Sequence, residues 1–84
     1  MTAPAALRPT PDHHPGRAVG RRLRDARKRA GLTLVAAGRH LGRDHGTVAR
    51  YERGELDPPT SAIVALARLY RVHPGELFPP APQA

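Results

Sequence analysis

Apolar residues recur at spacings of three and four along most of the chain, and this pattern predicts an all-α domain. In the third predicted helix Val48 and Tyr51 share one face, so both are expected in the core. The predicted helices cover residues 17–30, 33–41, 44–53, 60–70 and 75–78. The other residues expected to face the core are Val19, Leu23, Ala26, Ala30, Ile63, Leu66, Ala67 and Tyr70.

Capping residues set the ends of the second and third helices. Thr33 and Asp44 are expected N-caps, because their side-chain oxygens can accept from free N–H groups of the first turn. Gly42 is expected at the turn between the two helices, and Gly54 at the end of the third. Two short helices joined in this way favour a helix-turn-helix that places a helix in a DNA groove. A helical hairpin without a ligand has the same spacing.

The remaining boundaries follow from proline. Pro58 and Pro59 make residues 55–59 a loop, Thr60 or Ser61 is expected to cap the fourth helix, and Pro74 can start the last. Residues 17–78 are therefore the expected domain, followed by a short tail at 79–84. Residues 1–16 hold four prolines without periodicity, which predicts a disordered arm. That arm is either a solvated tail or a segment that reaches the DNA backbone or minor groove.

The charge and composition of the chain limit the classes of molecule that it is expected to bind. The 84 residues make one small domain with a net charge of +7, from thirteen Arg and one Lys against seven acidic residues. Such a balance favours nucleic acid or an anionic membrane. No apolar run approaches the ~20 residues of a membrane span, and no signal-type core stands at the N-terminus. Without cysteine there is no disulfide or thiolate site, which is compatible with a cytoplasmic, nucleoid-associated protein.

The titratable residues do not suggest an enzyme. Five His and seven acidic residues are scattered without a nucleophile, a phosphate loop or metal-ligand spacing. His13 and His14 are adjacent and lack the one-face spacing of a metal site. We therefore expect no catalytic activity, no metal, no cofactor and no small-molecule substrate.

A specific string of motifs spans residues 17–78. It consists of Gly31-Leu32-Thr33, Leu41-Gly42, Thr47-Val48-x-Arg50-Tyr51-Glu52-Arg53-Gly54, Pro58-Pro59 and Leu66-Ala67-x-x-Tyr70-x-Val72-x-x-x-Glu76-Leu77. This string resembles the phage repressor/Cro-type (XRE-like) helix-turn-helix family. The resemblance implies a lambda repressor-like compact bundle of five short helices that binds operator DNA, usually as a dimer. The chain departs from the family where Leu34 replaces the usual Gln, Arg43 a hydrophobic residue, Ala37 an aliphatic one and Gly38 an Ala.

The resemblance and the outward direction of the third helix together give an expected DNA contact set. Arg50 is expected on guanine O6 and N7, Ala49 on a thymine methyl, and His45 on a base edge or phosphate. Gly46 would allow close approach to the bases, while Thr47, Arg43 and Arg53 would contact phosphate, which Glu55 and Asp57 would repel. By the family's pattern, Arg27 and Glu52 would form a buried or half-buried structural ion pair.

Two functions follow from different classes of protein. The first is a sequence-specific, double-stranded DNA-binding transcriptional regulator, expected to be a repressor, that reads the major groove with residues 44–53. It would bind a palindromic operator as a homodimer. The second keeps the fold as a protein-interaction module, such as an antitoxin or a transcription adaptor. An antitoxin would be expected to carry a long apolar or acidic tail, and neither end of the sequence offers one.

Overall fold

Helices account for most of the structure, which is a computed structural model describing residues 15–79. This range contains four α-helices and one 3-10 helix, with no β-strand. The elements are α1 (Pro15–Arg29), α2 (Leu34–Leu41), α3 (His45–Glu52), α4 (Thr60–Tyr70) and the 3-10 turn (Pro74–Leu77). The all-α class is confirmed, but the count of five helices is slightly wrong, since the last element is a single 3-10 turn. The predicted arm up to residue 14 and the tail from residue 80 lie outside the described residues.

The first helix differs from its prediction at both ends. It begins at Pro15, so two residues assigned to the arm belong to its first turn. Its apolar stripe buries Leu23 and Ala26, which are 1% and 2% exposed, and half-buries Val19. Ala30 was expected in this stripe but is exposed, because the helix has already ended at Arg29.

The core lies where the four α-helices and the 3-10 turn meet. Leu23, Val48, Leu66 and Leu77 are its largest fully buried side chains. The remaining buried apolar residues are Ala26, Ala37, Tyr51, Ala62, Ile63, Ala67 and Tyr70. The predicted inner faces of α3 and α4 are therefore confirmed, and α3 is packed against the bundle along one side.

The capping groups that predicted α2 and α3 form the expected hydrogen bonds. Thr33 Oγ1 accepts from the Ala36 amide at 3.1 Å, and Asp44 Oδ2 accepts from the Gly46 amide at 3.1 Å. Gly42 ends α2 with a φ of 67°, in the left-handed region that glycine adopts cheaply. Two caps and one glycine therefore define the helix-turn-helix locally.

The cap of α4 differs from the prediction, whereas Pro74 begins the last element as predicted. Pro59 is the N-cap of α4 and supplies no side-chain hydrogen bond, so neither Thr60 nor Ser61 has that role. The 3-10 turn is capped by His73, whose Nδ1 accepts from the Gly75 amide at 3.0 Å. Glu76 Oε2 accepts in return from the His73 amide at 2.7 Å. This reciprocal box holds the turn that buries Leu77, while Phe78 is 44% exposed.

Tyr70 is buried as expected, but its hydroxyl is not hydrogen-bonded. The ring is 4% exposed, and the hydroxyl has no partner among the described residues. Burial raises the pKa of Tyr70 to about 12, and the charge of Glu52 adds to the shift. The phenol is therefore held neutral beside the inner face of α3.

Candidate nucleic-acid interface

The third helix has an inner and an outer side of different chemistry. Its buried residues are Val48, Tyr51 and Glu52. Half a turn away, Gly46 and Ala49 are half-buried and Arg50 is exposed. Of the other predicted contact residues, Arg43, His45 and Arg53 are exposed and Thr47 is half-buried. The outer side of α3 is thus small and basic, and the inner side belongs to the core.

On the inner side, Arg27 of α1 is bound to Glu52 of α3 in a two-pronged ion pair. Arg27 Nε donates to Glu52 Oε2 at 2.7 Å, and Nη2 donates to Oε1 at 3.0 Å. Arg27 Nη1 also donates to the Leu32 carbonyl at 2.9 Å. The hydrogen bond to Glu52 raises the pKa of Arg27, against the opposing effect of burial. The Arg27 guanidinium therefore connects three parts of the chain: α1, α3 and the segment that precedes α2.

Gly20, which was not predicted as a structural residue, fixes how closely α1 approaches α3. A Cβ at this position would lie 2.4 Å from the Glu52 carbonyl oxygen and 2.6 Å from that of Tyr51. Only glycine allows the two backbones this contact. A helix-interior glycine costs about 1 kcal/mol relative to alanine, and that cost was a signal available in the sequence.

Gly38 has the same function between α2 and the turn. A Cβ there would lie 2.7 Å from the Arg43 carbonyl oxygen and 3.1 Å from the His45 amide nitrogen. The Arg43 amide in turn donates to the Gly38 carbonyl at 2.8 Å. Gly38, where the family usually has alanine, is therefore in direct backbone contact with the turn.

Gly46 has a structural reason as well as the expected one. A Cβ at this position would lie 2.7 Å from Asp44 Oδ2, the oxygen that caps α3. Asp44 Oδ1 lies 3.3 Å from His45 Nδ1, so the same carboxylate also contacts the neighbouring imidazole. Glycine leaves room for the capping carboxylate, and it places no side chain on the outer side of α3.

Arg53 does not extend alone into solvent at the far end of α3. Its Nε donates to Glu55 Oε2, and the two side chains are 58% and 52% exposed. The bond raises the pKa of Arg53 and lowers the pKa of the Glu55 carboxyl. From the sequence, Arg53 was expected to contact phosphate and Glu55 to repel it, and their pairing was not predicted.

Leu34 occupies the position where the family usually has Gln. It is half-buried and packs against the core. Its neighbour Val35 is 47% exposed.

Among residues 15–79 no cluster of three or more His, Asp or Glu has the geometry of a metal site, and no helix is long and apolar enough to cross a membrane.

Comparison with protein families decides what kind of domain carries this surface. Residues 18–79 match the family model described as a helix-turn-helix domain. The chain belongs to the helix-turn-helix family. The resemblance to the Cro/C1-type (XRE-like) branch is confirmed by the relatives and the structural neighbour of this helix-turn-helix chain.

Two curated relatives share the domain. The HTH-type transcriptional regulator ImmR of Bacillus subtilis is 37% identical over 54 residues, which are 64% of this chain and 42% of that protein. A Pyrobaculum aerophilum protein, provisionally named as the HTH-type transcriptional regulatory protein PAE1627, is 39% identical over 51 residues. These are 61% of this chain and 20% of that protein. The chain thus spans less than half the length of the curated relatives it matches.

A solved structure covers more of the fold. The restriction-modification controller protein C.AhdI of Aeromonas hydrophila superposes with a TM-score of 0.68 at 32% identity. The match covers 74% of this chain and 94% of the controller protein. The arrangement of α1 to α4 is therefore shared with a protein of similar size.

Proposed function

We propose that this protein is a sequence-specific, double-stranded DNA-binding transcriptional regulator that reads the major groove with the outer side of α3. The observation that carries the proposal is the division of α3. Its inner side is fixed by Arg27, Gly20 and the core, while Gly46, Ala49 and Arg50 form a low, basic outer side. A rigidly held helix with small and basic outward residues suits insertion between two phosphate backbones.

The proposed contacts divide into phosphate and base contacts. Arg43 lies in the turn before α3 and Thr47 in its first turn, and both would set the register on the backbone, as Arg53 would at the far end. Arg50 would form a bidentate contact with guanine O6 and N7, and Ala49 would contact a thymine methyl. Gly46 would permit the approach, and His45 would contact a base edge or phosphate.

The names of the relatives support regulation as the outcome of binding. ImmR and PAE1627 are named as transcriptional regulators, and C.AhdI as a controller of a restriction-modification system. We infer a repressor that acts by occupying its operator. A two-fold dimer would require half-sites about one helical turn, roughly 34 Å, apart, so a palindromic operator and a homodimer on DNA complete the proposal.

The deciding experiment selects bound duplexes from a random-sequence pool at near-physiological salt and sequences them. We expect an enriched inverted repeat with a guanine at a fixed place in each half. Arg50→Ala protein, carried through the same selection, should lose the preference for that guanine alone. Weak, salt-sensitive retention without any enriched motif would overturn the proposal, because the basic surface would then bind DNA without reading it.

A further inference from the structure

The chain turns directly after α3, and this turn places the Glu55 carboxylate beside Arg53. Gly54 makes this turn with a φ of 73°, and its amide donates to the Tyr51 carbonyl at 3.1 Å. The Glu55 amide then donates to the Arg50 carbonyl at 2.9 Å. Two backbone hydrogen bonds thus fix the position of Glu55 at the end of α3.

The Glu55 carboxylate lies within the field of both outer arginines of α3. It accepts the hydrogen bond from Arg53 Nε, and the charge of Arg50 contributes to lowering the pKa of the Glu55 carboxyl. Arg53 and Glu55 are both more than half exposed. Exposed pairs of this kind are weak, so a phosphate held at the right distance can displace the carboxylate.

We propose that Glu55 withholds Arg53 from the phosphates of non-operator DNA and so determines how strongly the protein discriminates its operator. The inference rests on the proposed function. Non-operator DNA is bound through phosphates alone, and the affinity depends on how many of them are neutralised by cations. In an operator complex the base contacts of α3 fix the backbone in place, and the phosphate beside Arg53 takes over from the carboxylate.

The loop after α3 offers a matched control. Asp57 carries the same charge two residues further along, is exposed, and forms no hydrogen bond or ion pair with the residues the structure describes. Glu55→Gln and Asp57→Asn therefore remove one negative charge each from the same loop, but only the first releases an arginine. Circular dichroism of both variants checks that the helices are retained.

The first arm of the test measures binding to a fluorescent duplex of random sequence across a range of salt. For Glu55→Gln we expect the slope of log K against log salt to steepen by about 0.9, the effect of one added phosphate contact. This corresponds to about threefold more affinity lost between ~50 and ~200 mM salt. Asp57→Asn should leave the slope unchanged, and Glu55→Gln should have no slope effect in an Arg53→Gln background.

An equal slope change in both loop variants, or one that persists without Arg53, would overturn the restraint by Glu55. The second arm repeats the titration on the selected operator, where Glu55→Gln should lower the ratio of operator to random-duplex affinity, and by about threefold more at ~50 mM than at ~200 mM salt. An equal rise in both affinities would contradict a part in discrimination. A wild-type protein that prefers no sequence would refute the proposed function instead, while the random-duplex arm would still decide the pairing of Glu55 with Arg53.

Discussion

Two arginine–glutamate pairs of the same chemistry lie at α3, one on its inner side and one just beyond its C-terminal end. In the inner pair, Arg27 and Glu52 have side chains only 11% and 5% exposed, and two hydrogen bonds join them. In the outer pair, Arg53 and Glu55 are 58% and 52% exposed and share one. A buried pair is costly to break because the surviving charge stays desolvated, whereas water or phosphate can replace an exposed partner. Burial therefore decides which pair holds the fold and which can exchange.

The glycines that contact or belong to α3 show the same division. Gly20 meets backbone atoms of Tyr51 and Glu52, which cannot move without displacing the helix. Gly46 meets only the end of the Asp44 side chain, which can rotate. Substitutions on the inner side should therefore change stability, and those on the outer side should change DNA binding.

The largest effect is expected from Glu52→Ala, which leaves Arg27 without its partner in a desolvated place. The free energy of unfolding should fall by about 3–4 kcal/mol. Arg27 still donates one hydrogen bond to the Leu32 carbonyl in this variant. Urea unfolding followed by circular dichroism measures this loss. Glu55→Ala is the matched control and should leave the urea midpoint in place. Equal losses in the two variants would break the contrast between the pairs.

Gly20→Ala should cost about 2–3 kcal/mol, because the new methyl group overlaps two backbone carbonyls and α1 must move away from α3. Gly46→Ala gains helix propensity but displaces the Asp44 carboxylate, and these two effects of about 1 kcal/mol each should nearly cancel. Thermal unfolding of both variants, with operator titrations of the second, tests the difference. A Gly46→Ala protein as unstable as Gly20→Ala would show that the outer side also maintains the fold.

Arg50→Ala should leave stability unchanged and weaken operator binding by about 2 kcal/mol, with relaxed preference at one base pair. Arg43→Ala is its counterpart, since loss of a phosphate contact should weaken all sequences alike and reduce the salt slope by about one. Titrations against the operator and its single-base variants separate the two outcomes. Loss of affinity for every sequence on Arg50→Ala would remove Arg50 from base reading.

The smallest effect is expected from Tyr70→Phe at neutral pH, because the hydroxyl that is removed has no partner among the described residues. Stability should change by no more than about 1 kcal/mol. The difference lies in alkaline solution. The folded state raises the pKa of Tyr70 from 10.0 to about 12, so the wild type should lose stability as pH rises through that interval. Unfolding curves of Tyr70→Phe should lack this loss, and parallel alkaline curves would contradict it.

Where a signal was local, the sequence predicted the fold well. Thr33 and Asp44 act on amides two or three residues away, so their type and position determined where α2 and α3 begin. Periodicity likewise identified Val48, Tyr51 and the buried face of α4. The last turn was less predictable, because histidine is an unusual N-cap and four residues contain too little periodicity to separate 3-10 from α-helix.

Features that depend on the path of the chain could not be found this way. The helix-interior position of Gly20 indicates that a packing reason exists, but no local pattern identifies its partners, which are carbonyls some thirty residues later. Arg53 and Glu55 were each recognised as charged neighbours of DNA, yet their pairing depends on the left-handed turn at Gly54. The DNA-contacting roles of the outer side remain predictions, since sequence and structure both locate side chains without showing what they bind.

The contact of Gly38 with the turn has a consequence for how the binding preference of such a domain can change. The position of α3 depends on backbone atoms at Gly38 and Arg43 and on buried side chains, none of which belongs to its outer side. Side chains at positions such as His45, Ala49 and Arg50 can therefore diversify among descendants, or in a laboratory library, without moving the helix that presents them. A new operator preference could then arise by substitution of a few exposed residues, while the inner side stays unchanged.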